Sequence, residues 1–273
     1  MLGYAAARPT SFHLLIGDEQ LARFVSLSAV HGDGWGTSWL AADAADNAPE
    51  RVRTHRSPDS ADGDPLFRTH AETVLSTARL AHLRWATVGF PVALRNTHPF
   101  HTDGMSFAHN GKIASDGELD ELLAGHGQTE LAGDTDSERY FALVRGELRT
   151  DPTETPSAVL RAATALRGRY PNASLNAMLL TGTELVIVHA NALASNPVKD
   201  LRAMPGEPPT DHLSAYFLMR WRRTADGSLV FVSSGIDAQG WQPLPEESVT
   251  TVDLRSLTMR TVTISPLPLE PAA

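Results

Sequence analysis

The 273-residue chain carries a formal charge of −9 and 42% hydrophobic residues, enough apolar material for one large core or two small ones. Its acidity argues against a nucleic-acid or anionic-membrane surface, and no run of about 18 apolar residues offers a membrane span. It has no cysteine, which excludes disulfides, iron–sulfur clusters and cysteine zinc ligands. No signal-peptide pattern opens it, so a cytoplasmic protein is expected.

The opening MLGYAAARPTSF reads as a strand that runs on through Thr10 and Ser11. Apolar alternation then predicts short strands at WGTSWLA, RVRTH, ARLAHLRW and MSFAHNG. Three helical patterns follow. SDGELDELLAG has a capping-box spacing from Ser115 to Glu118, an apolar face of Leu119, Leu122 and Leu123, and a stop at Gly125. DTDSERYFALVRGEL is the second, and TPSAVLRAATALRGRY the third, with Thr155-Pro156 as cap and first turn. NAMLLTGTELVIVHA predicts a hairpin turning at Thr-Gly, and YFLMRWRRTADGSLVFVSS a second turning at Ala-Asp-Gly. Between these hairpins, ASNPVKDLRAMPGEPPTDH (194–212) is expected to be a polar, proline-rich loop over the surface or beside a site. SVTTVDL and LTMRTVTI close the set of strands, and SPLPLEPAA is a fraying tail. Strands, then helices, then strands indicate α+β layers in one domain, with no internal repeat.

Four stretches carry residue types suited to chemistry: HGDGWG (31–36), AHLRWATVG (81–89), NTHPF with FAHNG (96–111), and GDTDSE (133–138). Asn110-Gly111 is a strong signal for a type I′ hairpin turn. It is equally a side-chain amide and a backbone N–H able to face one developing oxyanion. Arg84, read as lying on a strand, suits either a structural ion pair or a bidentate carboxylate clamp. Asp136 suits a helix cap or an ammonium partner. Together, Arg84 and Asp136 are able to hold an α-amino acid by both charged ends. His82, His98, His101 and His109 raise a metal reading, but no HExxH or HxH pattern supports it against satisfied strand histidines. HGDGWG lacks the spacing of a phosphate cradle and reads as a tight loop beside a ligand site.

In order, these stretches resemble the class II glutamine amidotransferases, which are N-terminal nucleophile hydrolases. The likeness is closest to the stand-alone type that includes the γ-glutamyl amidohydrolases of ergothioneine biosynthesis. Met1-Leu2-Gly3-Tyr4 resembles the last four positions of the family opening Met-Cys-Arg-x-Leu-Gly-Tyr. The resemblance covers about residues 1–255, leaving 256–273 as a terminal strand and tail. It implies a four-layer αββα sandwich of two antiparallel sheets between helical layers. It assigns Arg84 to the substrate carboxylate, Asp136 to the substrate amine, and Asn110 and Gly111 to the oxyanion. Trp85, Thr87 and His98 would line the site, and no cofactor or metal is implied. The substrate would be glutamine or a γ-glutamyl amide, hydrolysed alone or with ammonia passed to a synthetase partner; the oligomeric state stays open. The family nucleophile is an N-terminal cysteine, expected here two positions before Met1. The alternative is a homologue without the reaction that binds glutamine or a γ-glutamyl ligand, or serves as a partner subunit. A hydrolase of another class built on the histidines is a third reading.

Overall fold

A computed structural model describes residues 1–45, 48–87, 89–114, 117–126, 130–151, 154–203, 210–237 and 239–265. In chain order the elements are β1 (Leu2–Thr10), α1 (Phe12–Ser26), β2 (Trp35–Leu40), β3 (Val52–Ser57), α2 (Pro65–Thr73), β4 (Ser76–Leu83), β5 (Phe100–Thr102) and β6 (Met105–Asn110). There follow α3 (Gly117–Ala124), α4 (Asp136–Thr150), α5 (Thr155–Arg169), β7 (Asn176–Leu180), β8 (Glu184–His189), α6 (Val198–Ala203) and α7 (Thr210–Ala215). β9 (Arg220–Arg223), β10 (Leu229–Val232), β11 (Gln242–Pro243), β12 (Ser248–Asp253) and β13 (Met259–Thr263) complete the chain.

The strands form two antiparallel sheets, ordered β11-β9-β10-β1-β4-β2-β3 and β13-β12-β8-β7-β6-β5. Strand periodicity assigns each side chain to a layer. In β8, Leu185 and Ile187 enter the core between the sheets, whereas Val186 and Val188 face α3, α4 and α5 on the outer side. In β1, Leu2, Tyr4 and Ala6 pack under α1 and α2, and Met1 and Ala5 turn inward. Burial on both faces explains why these strands read as unbroken apolar runs. The result is the αββα sandwich of the N-terminal nucleophile hydrolases. Among the described residues, no helix is long and apolar enough to cross a membrane.

Several local expectations are corrected. The strand predicted through Ser11 ends at Thr10, and Ser11 instead caps α1, its hydroxyl accepting from Leu14 N at 3.2 Å. The helical pattern there is broken at Gly17 (φ 82°), so the apolar face of Phe12 and Ile16 does not run in phase into Leu21 and Phe24. α2 is not among the expected elements, although Asp64-Pro65 is a cap followed by a first-turn proline. α5 begins one residue earlier than expected: Glu154 is the N-cap and the expected cap Thr155 is already helical. The loop expected over 194–212 contains α6 and the start of α7, and its residues 204–209 lie outside the described residues. The predicted cap Ser115 is likewise outside them.

Candidate active site

β1, β4 and β6 bring the predicted site residues to one edge of the sandwich. β1 and β4 are antiparallel, with Leu2 opposite Ala81, so the start of β1 lies beside the end of β4, where Arg84 follows. Arg84 is thus one residue beyond its strand rather than on it. Its backbone still continues the ladder, donating to Gly34 O at 2.8 Å and accepting from Asp33 N at 3.0 Å. The Asp33 carboxylate then accepts from Ala86 N at 2.7 Å. The HGDGWG loop therefore holds the turn that carries Arg84, Trp85 and Thr87.

Asn110 ends β6 opposite Asn176 of β7. The strand partner arrives only after three helices, and neither Asn110 nor Gly111 has the positive φ that a type I′ turn needs. The hairpin reading is thereby excluded. Asp136 opens α4, whose N-cap Thr135 accepts from Glu138 N at 3.2 Å. The Glu138 carboxylate reaches back to Ala132 N (2.8 Å) and Gly133 N (2.7 Å), a variant of the capping box that closes the preceding loop.

A cavity of about 450 Å³ opens here, lined by Arg84, Trp85, Thr87, His98, Asn110, Gly111 and Asp136. Arg84 and Asp136 are 3% and 4% exposed. Among the described residues the guanidinium makes only long bonds to carbonyls, Asp33 O at 3.3 Å and Pro91 O at 3.4 Å. Burial lowers its pKa, opposed by the Asp33 charge. The Asp136 carboxylate accepts from Ile113 N (2.6 Å) and Ser137 N (2.8 Å). Neither residue makes an ion pair among the described residues. Two opposite buried charges on one wall, each without a partner ion, suit a ligand that brings both complements.

His109 ties the two halves of this wall together. Its Nε2 lies 2.8 Å from Ser174 O and its Nδ1 2.9 Å from Ser137 Oγ. A carbonyl only accepts, so Nε2 carries the proton and Nδ1 takes the Ser137 hydroxyl hydrogen. Ser174 Oγ in turn donates to Asn110 O at 2.9 Å. Burial lowers the His109 pKa, against the Asp136 charge and the Ser174 bond.

His82 and His98 lie with ring centroids 4.4 Å apart. His98 Nδ1 and Nε2 and His82 Nδ1 are buried without a hydrogen-bond partner. His101 is exposed on β5, apart from the other three. Among the described residues, no three His, Asp or Glu side chains converge as metal ligands.

His31 of the HGDGWG stretch and Asp200 of the 194–212 segment also line the cavity, as do Phe90, Lys112, Tyr216 and Phe217, which belong to none of the motifs above. Met1 completes the edge. Its amine donates to Ser233 Oγ at 2.8 Å, and burial pushes its pKa down to about 5.

The layered arrangement of two antiparallel sheets between helices is a fold of the N-terminal nucleophile hydrolase type. The family model of the class-II glutamine amidotransferases matches residues 11–214, and the chain belongs to that family. The glutamine–fructose-6-phosphate aminotransferase (isomerizing) of Rhizobium meliloti is 43% identical over 70 residues, 25% of this chain and 11% of that protein. That of Haemophilus ducreyi is 34% identical over 137 residues, 46% of this chain and 22% of that protein. The chain thus matches under a quarter of the length of these relatives. Among solved structures, a glutamine aminotransferase class-II domain protein from Silicibacter pomeroyi superposes with a TM-score of 0.61 at 22% identity. That match covers 97% of this chain and 99% of the other. A predicted glutamine amidotransferase from Pseudomonas aeruginosa gives 0.53 at 20% identity, covering 94% and 98%. Both likenesses carry the fold.

Proposed function

We propose that this protein is a glutamine amidotransferase or γ-glutamyl amidohydrolase that releases glutamate from a γ-amide. The observation that carries this reading is the unpaired Arg84 and Asp136 in one cavity with Asn110 and Gly111. Arg84 takes the substrate α-carboxylate, Asp136 the α-ammonium, and the Asn110 amide with the Gly111 N–H the oxyanion. Trp85, Thr87 and His98 shape the walls around the glutamyl chain.

The nucleophile is a cysteine two positions before Met1. β1 pairs Leu2 with Ala81 and with Val232. The same register extended by three residues, that is two beyond Met1, reaches Arg84 on one side and Gly235 on the other. Alternation turns that side chain to the inner face, as for Met1. In the chemistry the family resemblance implies, the free α-amine of that cysteine is the base. A terminal amine of this kind removes the thiol proton as the sulfur attacks the γ-carbonyl carbon. The collapsing tetrahedral intermediate expels the amine or ammonia, which takes up that proton, and water then frees glutamate from the thioester. The released ammonia or amine leaves directly or passes to a synthetase partner.

Intact mass and terminal sequencing of the protein from its native host test this reading. A chain beginning Cys-Arg-Met-Leu-Gly-Tyr that releases glutamate from glutamine or a γ-glutamyl amide is the expected result. A native chain beginning at Met1 with no glutamate release overturns it and leaves a γ-glutamyl-binding protein.

The clamp has its own test, independent of turnover. Arg84→Met removes two charge-assisted bonds to a carboxylate, a loss of about 2 kcal/mol or about thirtyfold in affinity. Titration calorimetry with glutamine reads it, and unchanged affinity would show that the carboxylate binds elsewhere.

A further inference from the structure

Asp136 faces the cavity beside a group able to compete with any ligand for its charge. The carboxylate Oδ1 accepts from Ser137 N at 2.8 Å, and the Ser137 hydroxyl lies 3.3 Å from the same oxygen. That hydroxyl also lies 2.9 Å from His109 Nδ1. It carries one hydrogen and has two acceptors within reach. Given to Asp136, the hydrogen takes up a lone pair of Oδ1 and weakens the site for an ammonium. Given to His109, it leaves that lone pair open.

His109 decides between the two. Its Nε2 proton is committed to Ser174 O at 2.8 Å, so Nδ1 turns a lone pair towards Ser137. Burial lowers the pKa of the ring, so Nδ1 stays free of a second proton near neutral pH. The distances agree, since the hydroxyl is nearer the ring than the carboxylate. His109, Asp136 and Ser137 are all buried, so bulk water does not stand in for a missing partner. Ser174 O is itself main chain, fixed where Leu175 N donates to Ala190 O at 2.8 Å. The backbone before β7 thus sets the tautomer of His109, and the tautomer sets the direction of the Ser137 hydroxyl.

Building on the γ-amide reading above, we infer that His109 is a positioning residue for substrate recognition, drawing the Ser137 hydroxyl away so that Asp136 stays open to the substrate α-ammonium. It acts through Ser137, and its effect falls on the amino end of the ligand. The carboxylate end, held by Arg84, is independent of it.

Two matched ligands separate this inference from the reading beneath it. Glutamine and 4-carbamoylbutanoate share the γ-amide and the carboxylate, and only glutamine has the α-ammonium. The ratio of their affinities therefore reads the Asp136 contact, and calorimetry on the full chain should show glutamine binding tighter. His109→Gln brings an amide N–H to Ser174 O but takes the acceptor from Ser137. The hydroxyl hydrogen then turns to Asp136, and the ratio should fall about tenfold. His109→Asn does the reverse, offering Ser137 an acceptor while giving up Ser174, and should keep most of the ratio. A purely structural role for His109 predicts the opposite order, because only Gln preserves the bond to Ser174. Adding Ser137→Ala to His109→Gln removes the competing hydroxyl and should restore the ratio, which repair of a damaged fold would not do. A ratio unchanged in His109→Gln, or still low in the double variant, overturns the inference while leaving the γ-glutamyl site in place. Equal affinity of the two ligands in the unsubstituted protein overturns the assignment of Asp136 to the amine. Failure of both to bind removes the γ-glutamyl reading, and either of these last results takes the inference with it.

Discussion

Acidification from about pH 6.5 to about pH 5.5 should cost this protein about 4 kcal/mol of folding stability, well before its carboxylates are protonated. The cause is a set of histidines buried as neutral rings. His31, His82, His98 and His212 are 9%, 5–6% or 2% exposed. Burial depresses the pKa of each, most strongly for the first three and to about 4 for His212. Their proximity adds to the effect. His31 Nε2 lies 3.3 Å from His212 Nε2, and His82 packs on His98, so charging one ring opposes charging its neighbour.

The sign follows from proton binding. The unfolded chain titrates these groups near 6.5 and the folded chain titrates them lower, so the unfolded state binds more protons in between. Stability is complete above 6.5 and declines as pH falls below it, by about 1 kcal/mol per ring over the first unit. Denaturant unfolding at pH 7.5 and 5.5 measures the difference. Equal stability at the two values would mean that these rings are solvated or already charged. His212→Gln, which keeps a side-chain donor and acceptor but cannot titrate, should remove about a quarter of the loss.

How far the fold was legible depended on whether a signal was local. The β7–β8 and β9–β10 hairpins close over three and five residues, and turn chemistry with apolar alternation exposed both. α4 carried its cap and acidic first turn in consecutive residues. α1 did not read, because Gly17 breaks its period, and α6 lies in a segment whose prolines suggested a loop. The turn signal of Asn110-Gly111, the weaker of its two readings in the light of the family pattern, fails for the opposite reason. Its local preference for a hairpin is real, but pairing of β6 with a strand 66 residues further on overrides it.

The site divides in the same way. Arg84 and Asp136 announce their chemistry by residue type, and the family pattern orders them. Trp85 follows Arg84 in the same motif, whereas Tyr216 lies in no motif and reaches Trp85 (ring centroids 6.2 Å) only because the segment after α7 folds over the end of β4. No spacing in the chain records that meeting.

Gly111→Ala should be among the most damaging conservative substitutions in the chain, for a reason specific to this edge. A methyl at Gly111 would fall inside the contact surface of the Ser174 carbonyl oxygen and 2.7 Å from His109 Nε2. The first of these is backbone, held in place because Leu175 N donates to Ala190 O and Asn176 pairs with Asn110. It has no rotamer to change. Relief requires β6 and β7 to separate, which breaks the His109–Ser174 bond and loosens Ser137 beside Asp136. The expected loss is about 3 kcal/mol, with a fall of about 6–12 °C in Tm for a chain of this size. Glutamate release should fall further than stability alone accounts for, because the Gly111 N–H moves with the backbone. Gly168→Ala is the counterpart. That glycine lies exposed near the end of α5, an added methyl meets nothing within 4 Å, and alanine favours the helix by about 0.5–1 kcal/mol. If thermal unfolding showed both variants shifting in the same direction, the β6–β7 contact would not be what requires glycine at 111. If Gly111→Ala melted lower yet kept full turnover, the oxyanion donor would have to be another group.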